Sequence, residues 1–294
     1  MTASGPSPEL VALNEMLAAV DLSAMTLDEQ RATIEAASDG SVSDTDVEPV
    51  LVGGVPCKWV GAGDAATIVA VRGGGYCIGS LRSNRRFSAL LADTCGVRVL
   101  NVGYRNAPED PYPAALHDVL HAYRGLLAAG VAPATVAFVG NSAEGGLTLA
   151  GLLALRDAGD PLPACAAVIS PWTDLTNSGA SVRANAATEV MLDPRSVDAT
   201  AARYATVDQL THPYVSPLFG DPTGLPPLLV HVSDAEILLD DARRLAARAQ
   251  AAGVAVTLHV EPFVPHVWHV FAGLVPEADD ALVRLGLWLL GHLP

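Results

Sequence analysis

Lysine is almost missing from this chain: Lys58 is the only one in 294 residues. A Schiff-base mechanism or a phosphate-binding lysine loop has little material to work with. Basic charge of any kind is scarce, with 17 Lys and Arg against 32 Asp and Glu and a formal net charge of −15. Nucleic acid and anionic membrane surfaces both need a basic face, so neither is expected as a partner. No apolar run approaches the length of a membrane span, and residues 1–10 lack the basic start and hydrophobic core of a signal peptide, so a cytoplasmic location is expected. Cys57, Cys77, Cys95 and Cys165 share no short paired spacing, which argues against a zinc or redox motif and for reduced, buried thiols. No metal and no cofactor are expected.

What the chain has in quantity is apolar residues, 50% of the total, enough for a large core in one domain spanning 1–294. Its organising stretch is Thr135 to Leu147. Val136, Ala137, Phe138 and Val139 read as a buried strand, and Leu147, Leu149, Ala150, Leu152 and Leu153 then recur at helical spacing. Ser142 stands at the junction. A serine on a sharp strand-to-helix turn has its hydroxyl pushed out of the fold, with the amide of the next residue, Ala143, pointing to the same space. The usual pattern, Gly-x-Ser-x-Gly, keeps small residues on both sides because strand and helix crowd there. Gly140 satisfies the first position, but Glu144 occupies the second, ahead of Gly145 and Gly146.

Before the first strand lie two amphipathic helices. Ser7 and Pro8 open one, with Leu10, Leu13, Met16, Leu17 and Val20 as its stripe. Thr26 and Glu29 have capping-box spacing for the other, which is expected to stop at Ser38-Asp39-Gly40. Val47 to Val60 predicts a hairpin turning at Gly53-Gly54, and Thr67 to Val71 a strand that runs into Arg72-Gly73-Gly74-Gly75-Tyr76. Three successive glycines after a strand let several N–H groups line one concavity, which suits a developing oxyanion. A helix over Ser80–Thr94, a strand over Val97–Val102 and a helix over Ala114–Ala128 follow; His117 and His121 on the last of these are read as surface or packing residues rather than metal ligands. Further strands are expected at Cys165–Ser170, Leu228–Val232 and Val254–Val260, with helices at Leu238–Ala252 and Ala278–Leu290. This alternation predicts an α/β fold, a mostly parallel sheet with helices on both faces.

A serine nucleophile needs a base and an acid to orient that base. The order serine, acid, histidine, each just beyond a strand, gives Ser142, then Asp234 or Glu236, then His266.

With these motifs the chain resembles the hormone-sensitive-lipase branch of the α/β-hydrolase fold, the bacterial esterases of that type. The resemblance runs from Asp46 to Leu290 and is carried by Gly73-Gly74-Gly75-Tyr76, Tyr104-Arg105 with Ala107-Pro108-Glu109, Gly140-x-Ser142-Ala143, Ser170-Pro171-Trp172-x-Asp174-Leu175 and the Pro265-His266 loop. It implies cofactor-free hydrolysis of a small to medium ester or lactone. It also implies a helical cap from about 1–42 and about 176–212, and an oxyanion held by Gly74, Gly75 and Ala143, with Gly73 as a further donor. Family members often pair into homodimers through the last strand and helix. The family's acid-x-Leu-x-Asp-Asp/Glu pattern fits Glu236 to Asp241 without a gap, which favours Glu236 over Asp234. His266, directly after the loop proline, is favoured over His269.

Five positions depart from the family pattern: Arg72 replaces a histidine, Gly103 an acid or amide, Asn106 an apolar residue, Asn141 an acid and Glu144 the elbow glycine. All five lie in motifs that converge on one volume. Arg72 and Glu144 are expected to form an ion pair between the oxyanion loop and the elbow. Besides ester hydrolysis, two other readings follow from these departures: a reaction diverted to acyl transfer, cyclisation or elimination with Glu144 as an added acid or base, and a non-catalytic ligand receptor.

Overall fold

The computed structural model describes residues 5–37 and 47–294, so the expected stop at Ser38-Asp39-Gly40 lies outside the described residues. Among the described residues eight strands form one sheet: β1 (Val47–Val52), β2 (Val55–Val60), β3 (Thr67–Val71), β4 (Arg98–Val102), β5 (Val136–Asn141), β6 (Cys165–Ile169), β7 (Leu228–Ser233) and β8 (Val256–Glu261). Their order is β1-β2-β4-β3-β5-β6-β7-β8. β1 and β2 form the expected antiparallel hairpin, β2 is antiparallel to β4, and the remaining neighbours are parallel. β3, β5, β6 and β7 are buried along their whole length, as strands covered on both faces must be.

Among the described residues the helices are α1 (Pro8–Ala18), α2 (Leu27–Ala37), α3 (Arg85–Cys95), α4 (Ala114–Ala128), α5 (Ala143–Asp157), α6 (Ser181–Ala184), α7 (Pro194–Tyr204), α8 (Leu239–Ala251) and α9 (Pro276–Leu290). Side chains of α4, α5, α7 and α8 pack in the core on one face of the sheet. Those of α1, α3 and α9 pack in the core on the other. All four cysteines are buried and free. Among the described residues no helix is long and apolar enough to cross a membrane.

Helix α3 starts at Arg85 rather than Ser80 because serines upstream offer the backbone another partner. Ser83 Oγ accepts the Ser80 N–H at 2.7 Å, and Ser80 Oγ accepts the Arg82 N–H at 3.0 Å. In α1, Ser7 caps the Leu10 N–H at 3.1 Å and binds Glu277 of α9 through both its N–H and its hydroxyl. The stripe is used in part: Leu10 and Leu13 are buried and Leu17 packs against the core, whereas Met16 and, beyond the end of α1, Val20 are exposed.

Helix α2 has the reciprocal Thr26–Glu29 cap and reaches a different place. Its Arg31 donates to the Cys77 carbonyl at 2.9 Å, to the Ala107 carbonyl at 3.1 Å and to both oxygens of Glu109 at 2.7 Å. These bonds tie α2 to the loops at the carboxyl ends of β3 and β4. Helix α7 meets the same region from the other piece, with the Tyr204 ring stacked on Tyr76 at 3.7 Å.

Candidate active site

The buried run of β5 ends at Asn141 and α5 begins at Ala143, which leaves Ser142 to make the whole turn, at φ 58° and ψ −132°. A positive φ costs a residue with a β-carbon about 1–3 kcal/mol, so the surroundings must hold it. The Ser142 N–H donates to the Ile169 carbonyl at 2.8 Å, and the Ser142 carbonyl accepts from Trp172 N–H at 2.9 Å. Glycine is needed where the elbow touches its neighbours. A β-carbon at Gly140 would collide with Thr148 Oγ1 and the Glu144 carbonyl, and one at Gly146 with the Trp172 carbonyl oxygen.

The loop after β8 brings His266 to this serine, with Nε2 at 2.8 Å from Ser142 Oγ. On the other side of the ring, Nδ1 lies 2.6 Å from Glu236 Oε2. The second oxygen of Glu236 accepts the Ser233 N–H at 2.7 Å and the Ser170 hydroxyl at 2.9 Å. Ser170 Oγ also accepts the N–H of Val267, a β-branched residue at φ 54°, at 3.1 Å. Burial alone would lower the His266 pKa, but the Glu236 hydrogen bond and charge, aided by Glu189 and Glu144, raise it above the ordinary histidine value.

Of the two acids open at the sequence level, the structure brings only Glu236 to His266. Asp234 is exposed and its carboxylate accepts the Phe263 N–H at 3.0 Å. His269 is buried with Nε2 2.8 Å from His231 Nδ1, a packing position remote from the serine line. His117 and His121 are exposed on α4, and among the described residues no three His, Cys, Asp or Glu side chains gather as metal ligands would.

Facing the elbow is the loop after β3. Among the described residues, no hydrogen-bond acceptor meets the N–H groups of Gly73, Gly74, Gly75 or Ala143. Gly74 and Gly75 have φ 146° and 58°, and the Gly74 carbonyl accepts from Cys77 N–H and Ile78 N–H at 3.0 and 2.9 Å. This turned loop beside the N-terminus of α5 can receive negative charge.

The expected ion pair between Arg72 and Glu144 is not what forms. Tyr104 stands between them, its ring 4.0 Å beneath the Arg72 guanidinium and its hydroxyl donating to Glu144 Oε1. An aromatic face attracts the cation while the phenol satisfies the anion, so the charges are linked without touching. Arg72 also donates to the Ile78 carbonyl at 2.7 Å and to Asn106 Oδ1. Burial pushes the Glu144 carboxyl up to about 7, against the opposing pull of Tyr104 and Arg72. Asn141 lies under the loop: a β-carbon at Gly73 would be 2.6 Å from its Oδ1. Gly103 is fixed by contact too, since a β-carbon there would be 2.6 Å from the Pro56 carbonyl oxygen and 3.0 Å from Leu81.

Three residues of the site carry no role in the sequence reading. Ser170 and Ser233, which orient Glu236, lie at apolar strand ends; Ser170 opens the Ser-Pro-Trp motif but that motif assigns it no contact with the acid, and Ser233 has no motif of its own. Glu189, from the irregular segment before α7, accepts the Met191 N–H at 2.9 Å and the Ile237 N–H at 3.2 Å and charges the surroundings of His266.

Residues 68–270 match the family model for the alpha/beta hydrolase fold. An acetyl-hydrolase of Streptomyces hygroscopicus is 44% identical over 242 residues, 82% of this chain and 81% of that protein. An ethyl acetate hydrolase of Pseudomonas putida is 34% identical over 238 residues, 78% of this chain and 74% of the relative. Among solved structures, an esterase of the bacterial hormone-sensitive lipase family superposes with a TM-score of 0.94 at 41% identity, covering 99% of this chain and 100% of that one. The esterase EstE5, in crystals soaked with p-nitrophenyl butyrate, gives 0.93 at 39% identity over 97% of this chain and 99% of its own.

Proposed function

The chain belongs to the α/β-hydrolase fold family, in its hormone-sensitive-lipase branch of ester-hydrolysing enzymes, and from that premise we propose that it cleaves small carboxylic esters or lactones through an acyl-enzyme on Ser142. Supporting this above all is the unbroken hydrogen-bonded line from Ser142 Oγ through His266 to Glu236. In this reading Ser142 Oγ attacks the carbonyl carbon while His266 Nε2 takes its proton, and Glu236 steadies the imidazolium. The carbonyl oxygen becomes the oxyanion, received by the N–H groups of Gly74, Gly75 and Ala143, with Gly73 nearby. Collapse expels the alcohol, which takes the proton from His266. Water, deprotonated by the same nitrogen, then releases the acid and restores the serine. Only protein groups and water take part.

Short acyl groups, acetyl first, are the substrates we assign, in line with the acetyl-hydrolase and ethyl acetate hydrolase relatives. The cap in this reading is α2 and the segment between Thr176 and His212 that contains α7, since Arg31 of α2 and Tyr204 of α7 meet the oxyanion loop; α1 instead packs against α9. Diversion of the reaction by Glu144 as an acid or base finds no support, because that side chain is fully buried and engaged by Tyr104 and Tyr76.

Incubation with a fluorophosphonate followed by intact mass measurement should add one adduct to the wild type and none to Ser142→Ala. p-Nitrophenyl acetate should be turned over by the first and not by the second. An unmodified wild type, or an adduct that survives in Ser142→Ala, would remove Ser142 as nucleophile.

The premise extends to assembly: among the described residues β8 is the last strand at one edge of the sheet, and Phe263 just after it and Val283 and Leu287 of α9 are exposed. We propose a homodimer joined there. Sedimentation equilibrium should give twice the chain mass, and Leu287→Glu should return it to one.

A further inference from the structure

Three consecutive residues of the loop after β3 have positive φ: Gly74 at 146°, Gly75 at 58° and Tyr76 at 60°. Glycine takes such angles freely, whereas a bulky side chain resists them. Tyr76 therefore has to be held, and its surroundings do so on three sides. Its N–H donates to Glu144 Oε1 at 3.1 Å, its carbonyl accepts from Ala107 N–H at 2.9 Å, and its ring stacks on Tyr204.

Glu144 is in turn held from behind. The Tyr104 hydroxyl donates to the same Oε1, and Arg72 lies over the Tyr104 ring. Arg72 is fixed by the Ile78 carbonyl and by Asn106 Oδ1. Three of the five departures from the family pattern, Arg72, Asn106 and Glu144, are thereby joined through Tyr104 into one buried connection. It runs from the ends of β3 and β4 to the first turn of α5 and back to the loop at Tyr76.

We propose that Glu144 is a positioning residue for the oxyanion: by holding the Tyr76 N–H it keeps the preceding Gly74 and Gly75 N–H groups aimed at the space beside Ser142. This rests on the hydrolase reading given above. Glu144 touches no substrate, since it is fully buried. Its effect is transmitted through the backbone between residues 74 and 76. Oxyanion donors act on charge that exists in the transition state and not in the bound ester. Disturbing them should lower kcat and leave KM nearly alone, which a general loosening of the fold would not do selectively.

The test is the kcat and KM of p-nitrophenyl acetate hydrolysis for the wild type, Glu144→Ala and Glu144→Gln. The alanine variant strips the acceptor from the Tyr76 N–H, and kcat should fall roughly 10- to 100-fold with KM changed by no more than about twofold. The glutamine variant keeps an amide oxygen able to accept both bonds, and its kcat should stay within about threefold of the wild type. An alanine variant with wild-type kcat overturns the proposal, as does a loss expressed in KM alone. Equal losses in both variants overturn it as well, because they would mean that charge and not the hydrogen bond matters. Should thermal melts show that the alanine variant does not fold, Tyr104→Phe takes its place. Losing one of the two donors to Glu144 while keeping the ring under Arg72, it should lower kcat severalfold at constant KM, and an unchanged kcat counts against the proposal. A wild type with neither turnover nor a fluorophosphonate adduct removes the hydrolase reading itself, a result distinct from an active wild type indifferent to Glu144.

Discussion

Glu236 gives one carboxylate oxygen to His266 Nδ1, at 2.6 Å, and the other to the Ser233 N–H and the Ser170 hydroxyl. With both oxygens occupied the carboxylate cannot rotate, and the imidazole is held with Nδ1 protonated and Nε2 free to accept from Ser142. Asp234, two residues earlier, spends its carboxylate on a loop N–H. Glu236→Gln should therefore lower kcat about a thousand- to ten-thousand-fold by favouring the wrong tautomer. Asp234→Asn should stay within about threefold, since its amide oxygen can still take the Phe263 N–H. Initial rates with p-nitrophenyl acetate decide it; the reverse ranking would make Asp234 the acid.

The pH dependence follows from the same pair. The base must be neutral to accept a proton from Ser142, and burial, which would lower its pKa, is outweighed by the Glu236 hydrogen bond and the charges of Glu236, Glu189 and Glu144. Activity should accordingly be lost on acidification with a midpoint above the ordinary histidine value of about 6.5. Glu189→Gln removes one of the charges that keep the imidazolium stable, so the acid limb of kcat/KM should move to lower pH. A limb that stays put or moves upward would show that Glu189 does not act on His266.

How much of this is legible in the sequence differs from one residue to the next. The Ser142 turn is legible because a β-branched run changes to helical spacing within a few residues. The capping pairs at Ser7 and Thr26 and the hairpin at Gly53-Gly54 are legible for the same local reason. Position after β7 alone does not separate Glu236 from Asp234; the gapless fit of Glu236 to Asp241 to the family's acid pattern favours Glu236, and the path of the chain beyond Ser233 aims that side chain at His266. The Arg72–Glu144 link fails as an ion pair because opposite charges in converging segments say nothing of an aromatic ring lodged between them. The segment before α7 has no periodicity, so the approach of its Glu189 to His266 and to the Ile237 N–H has no sequence signal. Helix α1 carries an amphipathic stripe, yet which face of the sheet it covers is set by its bonds to Glu277 far along the chain.

Glu144 should also make stability depend on pH. Burial raises its carboxyl from the ordinary range to about 7 in the folded state. The groups around it are Arg72, Tyr76, Tyr104, Cys77, Tyr204 and His266, of which Arg72 is the permanent cation. Between the unfolded and folded values the native state keeps a proton that the unfolded chain has lost, so stability declines as pH rises through this window and levels off above it. The contribution is on the order of 3 kcal/mol. Glu144→Gln does not ionise, and its Tm relative to the wild type should be several degrees higher at about pH 8 than at about pH 5. A Tm difference that is the same at both would mean that Glu144 does not titrate in the folded protein.

The glycines of the elbow give the last prediction. The family pattern asks for a small residue two positions after the nucleophile, where this chain has Glu144, yet the elbow forms. Glu144 is accommodated because its side chain leaves the crowded side toward Tyr104 and Tyr76, while close packing falls on Gly145 and Gly146. A β-carbon at Gly145 would lie 2.9 Å from Pro171 Cβ, and one at Gly146 would meet the carbonyl of Trp172, the residue whose N–H holds the Ser142 carbonyl. Gly146→Ala should cost about 3 kcal/mol, since neither helix nor loop can retreat without moving the serine. Gly151, one turn further along α5, differs: a β-carbon there would meet only Val119 Cγ1, at 3.6 Å, an ordinary packing distance. Gly151→Ala should then stabilise by about 0.5–1 kcal/mol through the lower entropy of the unfolded chain. Urea unfolding midpoints compare the two, and a Gly146→Ala protein as stable as Gly151→Ala would show that the elbow does not need a bare backbone at residue 146.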